Sequence, residues 1–217
     1  MREKADANGL SAGSSEPVAA PRVVYYIRHG ETDWNVEGRL QGRRDIPLND
    51  RGRAQASYCG QLLVDLFARD GLSETAFDFI SSPLGRARET MELARAGLGL
   101  PPQDYRIDER LIEITFGEWE GYTIAELRNR DPQRVAAREH DKWRFIAPGG
   151  ESYEAMSWRM RDWYRSLTRD AVVVAHGGTA RGLMACLGLA KPAAAPLLDV
   201  AQGVVYVFNG AAMTRYA

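Results

Sequence analysis

Two histidines far apart in the chain close runs of the same kind. Val23 to Ile27 is an apolar run that delivers Arg28, His29 and Gly30 to its carboxyl end, and Ala171 to Ala175 delivers His176, Gly177 and Gly178. Runs this uniformly apolar read as central parallel strands covered by helices on both faces. Open α/β sheets place their ligands at the carboxyl ends of such strands, so both histidines belong on one rim. The glycine after each lets the backbone turn sharply and come close to a ligand. An imidazole beside a guanidinium at a strand end is a phosphate site in outline, because arginine holds phosphoryl oxygens in forked hydrogen bonds.

Two segments between the histidines add the rest of the chemistry. Ser81 to Thr90 reads as a strand end followed by a helix start and supplies Arg86 and Arg88, while Leu111 to Gly121 supplies the carboxylates Glu113, Glu118 and Glu120. With these segments the chain resembles the histidine phosphatase superfamily, also called the phosphoglycerate mutase-like family. The family pattern R-H-G-x-T-x-x-N matches Arg28 to Asn35, R-x-Q-G matches Arg39 to Gly42, and S-x-L-x-R-A-x-x-T matches Ser82 to Thr90. The acidic L-x-E…G-x-W-E-G segment matches Leu111 to Gly121, and V-x-H-G-G matches Val174 to Gly178. Order and spacing agree over roughly residues 22 to 210.

The resemblance implies a three-layer α/β/α sandwich with a mostly parallel central sheet, and hydrolysis of a small phosphorylated metabolite through a phosphohistidine on His29. Arg28 and Arg86 would hold the phosphoryl group and, by like-charge repulsion, keep His29 neutral and nucleophilic. A protonated His176 and the Asn35 amide would join them in stabilising the transition state. Glu113 is expected to protonate the leaving oxygen and later to accept a proton from water; Glu118 and Glu120 are its rivals, with Asp108 and Glu109 earlier on the approach. Gly30, Thr32, Gln41, Gly42, Arg88 and Gly177 complete the expected binding set. Arg43 and Arg44 read as solvated loop charges, and the five tryptophans as packing residues, a substrate contact by Trp143 in the lid being the lesser alternative.

Composition excludes several other classes. The chain has 217 residues, 45% hydrophobic and 26% charged, which suits one domain with a sizeable core. Its formal charge of -1 does not advertise nucleic acid or an anionic membrane as a partner. No apolar stretch approaches the ~20 residues that cross a bilayer, and residues 1–21 contain no signal-like apolar run, so a cytoplasmic location is expected. That first segment, rich in Ala, Ser, Gly and Pro, is expected to be disordered, leaving residues 22–217 as a single domain; a homodimer is compatible with the sequence. Cys59 and Cys186 form no metal-ligand pattern and read as buried thiols in helices. No cofactor or metal is expected.

The intervening punctuation places the elements. Asn49 or Asp50 can cap a helix running to about Arg69; a strand over Phe77 to Ser81 leads through Pro83 into a helix to about Ala96. Residues 121 to 147 are polar and arginine-rich, read as one or two exposed helices from Thr123 to Lys142, and sit where a lid would be. A helix from Ser152 to about Thr168 feeds the second histidine strand, another follows Gly178 to about Leu187, and Asn209-Gly210 marks a final hairpin. Mutase members of the family carry E-R-x-Y-G and a longer insertion, whereas this chain has Glu113-Ile114-Thr115-Phe116-Gly117 and a short run to Pro148. A phosphatase is therefore expected, a primer-dependent phosphoglycerate mutase being the alternative and a silent binding protein a remote one.

Overall fold

A computed structural model describes residues 22–217 of the chain; the expectation for residues 1–21 lies outside them. The two apolar runs are neighbouring parallel strands, β1 (Val23–Arg28) and β4 (Ala171–Ala175), with Arg28 opposite Ala175. Their central residues are buried on both faces, as the unbroken apolar runs require. Strand β2 (Asp78–Ser81) lies on the other side of β4, and a two-residue strand β3 (Arg106–Ile107) forms that edge, both parallel. On the opposite side β5 (Val205–Asn209) runs antiparallel to β1 and turns back into β6 (Ala212–Tyr216), which is the expected hairpin. The strand order is β3-β2-β4-β1-β5-β6.

Helices cover both faces of this sheet, giving the expected three layers. On one face α2 (Asp50–Asp70) and α3 (Gly85–Gly97) bury Leu63, Phe67 and Met91 against Tyr25, Ile27, Val172 and Val174. On the other, α6 (Tyr153–Arg165) and α7 (Gly177–Cys186) bury Met156, Met160, Trp163 and Leu183 against Val24, Tyr26 and Val173. Asn49 caps α2 by accepting from the Gly52 amide, and Gly71 ends it at φ +63°.

Residues 121–147 hold two short helices, α4 (Ile124–Arg130) and α5 (Pro132–His140), each with a side-chain cap at its start, Thr123 and Asp131. They are exposed, as expected, apart from one buried residue in each. Leu127 and Val135 pack with Trp119 and Ala147 into a small core of their own. A single turn, α1 (Asp33–Val36), follows β1; neither it nor β3 has enough residues to leave a periodic signal in the sequence. No described helix is long and apolar enough to cross a membrane.

Candidate active site

The ladder between β1, β4 and β2 continues one residue past the strand ends. The His29 amide donates to the Ala175 carbonyl at 2.9 Å and the Ser82 amide to the Val174 carbonyl at 3.0 Å. This carries His29, His176 and Ser82 out of the sheet side by side, with the two imidazole rings 5.2 Å apart. A cleft of about 220 Å³ opens there, lined by Arg28, His29, Asn35, Gln41, Gly42, Arg86, Glu113 and Gly177, with Arg138, Tyr153 and Arg181 farther round. A larger depression of about 620 Å³ beside β3 holds none of the motif residues, so size does not decide the site.

His29 is 3% exposed. Its Nδ1 lies 2.8 Å from the Gly30 carbonyl, which can only accept, so Nδ1 carries the proton and Nε2 keeps its lone pair. The Arg86 Nε–H donates to that Nε2 at 3.3 Å. Burial holds the His29 imidazole well below the usual histidine range, and Arg86 and then Arg28 add like-charge repulsion. The sequence reading credited repulsion; desolvation is the larger cause.

Arg86, 1% exposed, is fixed by three carbonyl and carboxylate contacts: the Gly42 carbonyl at 2.8 Å, the Arg44 carbonyl at 2.6 Å and Asp45 at 3.8 Å. Asp45 also accepts from the Gly85 amide at 2.7 Å, doing for α3 what Leu84 at the cap position cannot. Arg28 donates through Nη1 to the Val200 carbonyl at 2.6 Å. Its Nε is buried and has no partner among the described residues, and the same is true of His176 Nδ1. An orphaned buried donor such as Arg28 Nε is costly in a closed core, and Arg28 lines the cleft, where an anion would satisfy it.

His176 is wholly buried, its Nε2 2.6 Å from Ser82 Oγ. Burial, followed by Arg86, His29 and Arg28, pushes it well below the usual range as well. The sequence suggests a protonated His176; burial and the neighbouring cations instead favour its neutral form. Its backbone is pinned by the Tyr26 hydroxyl, which donates to the His176 carbonyl at 2.7 Å and accepts from the His176 amide at 3.0 Å.

Glu113 alone among the competing carboxylates reaches the cleft. Oε1 accepts from the Ile114 amide at 2.9 Å and Oε2 from the Gly178 amide at 3.0 Å, at the start of α7. Glu120 is 8% exposed and consumed by the Arg43 amide, the Phe116 amide and Thr115 Oγ1. Glu118 is exposed on the far side, Asp108 is paired with Arg110 at 2.7 Å, and Glu109 is exposed.

Several expected contacts fall elsewhere. Thr32 is fully buried beneath the cleft, accepting from Gln41 Nε2 at 2.7 Å and donating to Asn35 Oδ1 at 3.1 Å. The Asn35 oxygen also takes Gln202 Nε2, which leaves its N–H groups for the cleft it lines. The Gly30 amide is taken by Thr90 Oγ1 at 3.0 Å. Arg88 is exposed on α3 beside Tyr105, because two helical residues turn about 200° away from Arg86. Arg43 is tied to the Glu113 carbonyl and to Glu151 rather than merely solvated. Trp143 is buried in the core with Tyr153 and Trp163, away from the cleft. Arg181 went unnoticed although it lies four residues after Gly177, one turn along the same helix face; Arg138 and Tyr153 carry no motif that would single them out. Among the described residues no group of three or more His, Cys, Asp and Glu side chains could hold a metal ion.

Comparison with known proteins agrees with this geometry. The model of the histidine phosphatase superfamily (branch 1) matches residues 24–213. The crystal structure of the α-ribazole phosphatase from Shigella flexneri superposes with a TM-score of 0.71 at 29% identity, covering 85% of this chain and 89% of that one. A mycobacterial glucosyl-3-phosphoglycerate phosphatase complexed with VO3 does so at 0.71 and 30%, covering 87% and 92%. A 2,3-bisphosphoglycerate-dependent phosphoglycerate mutase of Gloeobacter violaceus is 29% identical over 195 residues, 86% of this chain and 85% of that one. The chain spans about half the length of the curated relatives it matches first.

Proposed function

The chain belongs to the histidine phosphatase superfamily (branch 1), and from that membership and the geometry of the cleft we propose that it is a phosphomonoesterase acting on a small metabolite. The observation that carries the reading is the bare His29 Nε2, held 3.3 Å from the Arg86 guanidinium in a cleft that Arg28 also lines. Nε2 attacks phosphorus as the ester P–O bond breaks, and Glu113 gives its proton to the departing oxygen. Water then gives a proton to the Glu113 carboxylate and attacks the same phosphorus; the N–P bond breaks, orthophosphate leaves, and His29 is restored. Each Glu113 oxygen accepts one backbone hydrogen bond and retains a lone pair for this work.

Arg28 and Arg86 meet the phosphoryl oxygens, with the Asn35 amide as a neutral donor. If Ser82 donates to His176 Nε2, Nδ1 carries the proton and becomes one more donor, and a bound dianion raises the histidine toward its charged form. These guanidiniums supply the charge that a divalent ion gives other phosphatases, so turnover is expected to survive excess EDTA; loss restored by Mg²⁺ would refute the mechanism.

Rapid-quench labelling with a ³²P ester tests the reading directly. An acid-labile, base-stable phosphoenzyme that disappears in His29→Ala is expected; no phosphoenzyme, or one unchanged in the variant, would refute it. The mutase alternative keeps the same first step and returns the phosphoryl group to the product. It requires stimulation by 2,3-bisphosphoglycerate and no net phosphate release, whereas Glu113-Ile114-Thr115-Phe116-Gly117 and the short α4–α5 segment favour hydrolysis.

A further inference from the structure

Two guanidiniums converge over Gly177. A Cβ built there would sit 3.4 Å from Arg181 Nη1 and 3.5 Å from Arg28 Nε. Arg28 belongs to the phosphoryl end, so Arg181 stands next to it on the way out. Its Nε is fixed by the Leu198 carbonyl at 2.8 Å, which leaves the outer N–H groups to the cleft. Arg138 from α5 and the 7% exposed Tyr153 from the start of α6 line the same side.

Arg138 and Arg181 are half-buried, and among the described residues neither is ion-paired. The carboxylate whose charge Arg138 feels, Glu139, is bonded to Arg128 at 2.6 Å. Neighbouring arginines are treated differently: Arg39 pairs with Glu37 and Glu126, and Arg43 and Arg159 both pair with Glu151. Half-buried like charges without a counter-charge are unfavourable unless something else neutralises them. A phosphoryl dianion already has Arg28 and Arg86, so the ester of a neutral alcohol brings nothing for the other two.

We propose that Arg138 and Arg181, with the Tyr153 hydroxyl, form a second anion subsite, so that the substrate is a phosphomonoester carrying a second anionic group, a carboxylate or a second phosphate, away from the ester bond. The proposal rests on the phosphomonoesterase reading. Two matched pairs of esters test it: 2-phosphoglycerate against glycerol 2-phosphate for a carboxylate, and glucose 1,6-bisphosphate against glucose 6-phosphate for a phosphate. In the wild-type protein the doubly anionic member of at least one pair should have a kcat/KM at least tenfold higher. That ratio should fall several-fold in Arg138→Gln, and toward one in the wild type as salt is raised.

A ratio near one in both pairs, with all four esters hydrolysed through His29, would overturn the second subsite and leave the phosphatase standing. A strong preference that a folded Arg138→Gln protein retains in full would overturn the residues assigned to it. Should that variant not fold, the wild-type ratio and its salt dependence still decide. Failure of every ester to leave phosphate on His29 defeats the phosphatase reading, and this proposal with it.

Discussion

Arg86 and Glu113 act on opposite sides of the bond that breaks, and the leaving group tells them apart. p-Nitrophenolate departs without a proton, whereas an alkoxide needs one, a contribution of ~10²–10⁴ in rate. Followed as transfer to His29, Glu113→Gln should slow an alkyl phosphate by that order and p-nitrophenyl phosphate only slightly. Arg86→Ala should slow both, since its guanidinium acts on the phosphoryl oxygens. Equal slowing by Glu113→Gln would reject the acid role. The buried histidines make a second prediction, on stability. Both are depressed in the folded protein, by burial first and Arg86 next, while an unfolded histidine titrates near about 6.5. Below that pH the unfolded chain binds more protons, so stability is fully present above about 6.5 and falls as the medium is acidified, by about 1.4 kcal/mol per pH unit for each histidine. Urea unfolding between pH 7 and 5.5 should show a shallower decline for His176→Asn than for the wild type; parallel slopes would contradict it. At this scale the sequence is readable where a residue type has one plausible task, as for His29, Arg28 and Arg86. Thr32 matches one of these motifs and Arg88 falls on a free position of another, yet which way a side chain leaves its element is a matter of backbone direction that a motif does not encode.

Elements meet in this site through glycines, and two of them are expected to fail differently when given a side chain. A Cβ on Gly30 would lie 2.2 Å from the Gly52 carbonyl oxygen, and one on Gly52 2.1 Å from the Glu31 carbonyl oxygen, backbone against backbone. Gly30 therefore serves the approach of α2 to the end of β1, not the close approach of a ligand that the sequence suggested. A Cβ on Gly178 would lie 2.3 Å from Glu113 Oε1, the far end of a side chain that can swing away. Gly30→Ala should destabilise by the ~1–3 kcal/mol of an overpacked core or more, visible as a lowered Tm. A Cβ on Gly178 would also lie 2.9 Å from Cγ2 of the buried Ile114, so Gly178→Ala should lose some Tm, but less than Gly30→Ala, and reproduce the leaving-group signature of Glu113→Gln. The reverse pattern would show that α2 can shift and that the α7 start cannot. Long elements were legible from their runs and caps, as Asn49 at α2 and the two histidine strands illustrate. Asp45 was not: it caps α3 from a loop 40 residues earlier, a tertiary substitute for the local cap that Leu84 lacks.

The whole molecule explains why these elements leave a cleft at all. After β1 the chain crosses to α2 on one face of the sheet, and after β4 it enters α7 on the other. β1 and β4 are neighbours, so consecutive connections diverge between them and open a crevice at the carboxyl ends. The α4–α5 segment has a small core apart from the two on the faces of the sheet, and it brings Arg138 to the lining of that crevice. Its stability should therefore be separable from that of the sheet. Leu127, 1% exposed, anchors the small core; Leu127→Ala removes a buried side chain, a change that costs 2–5 kcal/mol in well-packed sites. If the segment is an independently opening lid, that loss appears as local unfolding: faster amide exchange over residues 124–140, with β1 and β4 amides unchanged. Opening the segment withdraws Arg138 but not Arg86, so KM for a doubly anionic ester should rise several-fold while kcat for p-nitrophenyl phosphate holds. Uniformly faster exchange across β1, β4 and the lid, with kcat and KM moving together, would mean that the α4–α5 segment unfolds only with the sheet and is no lid.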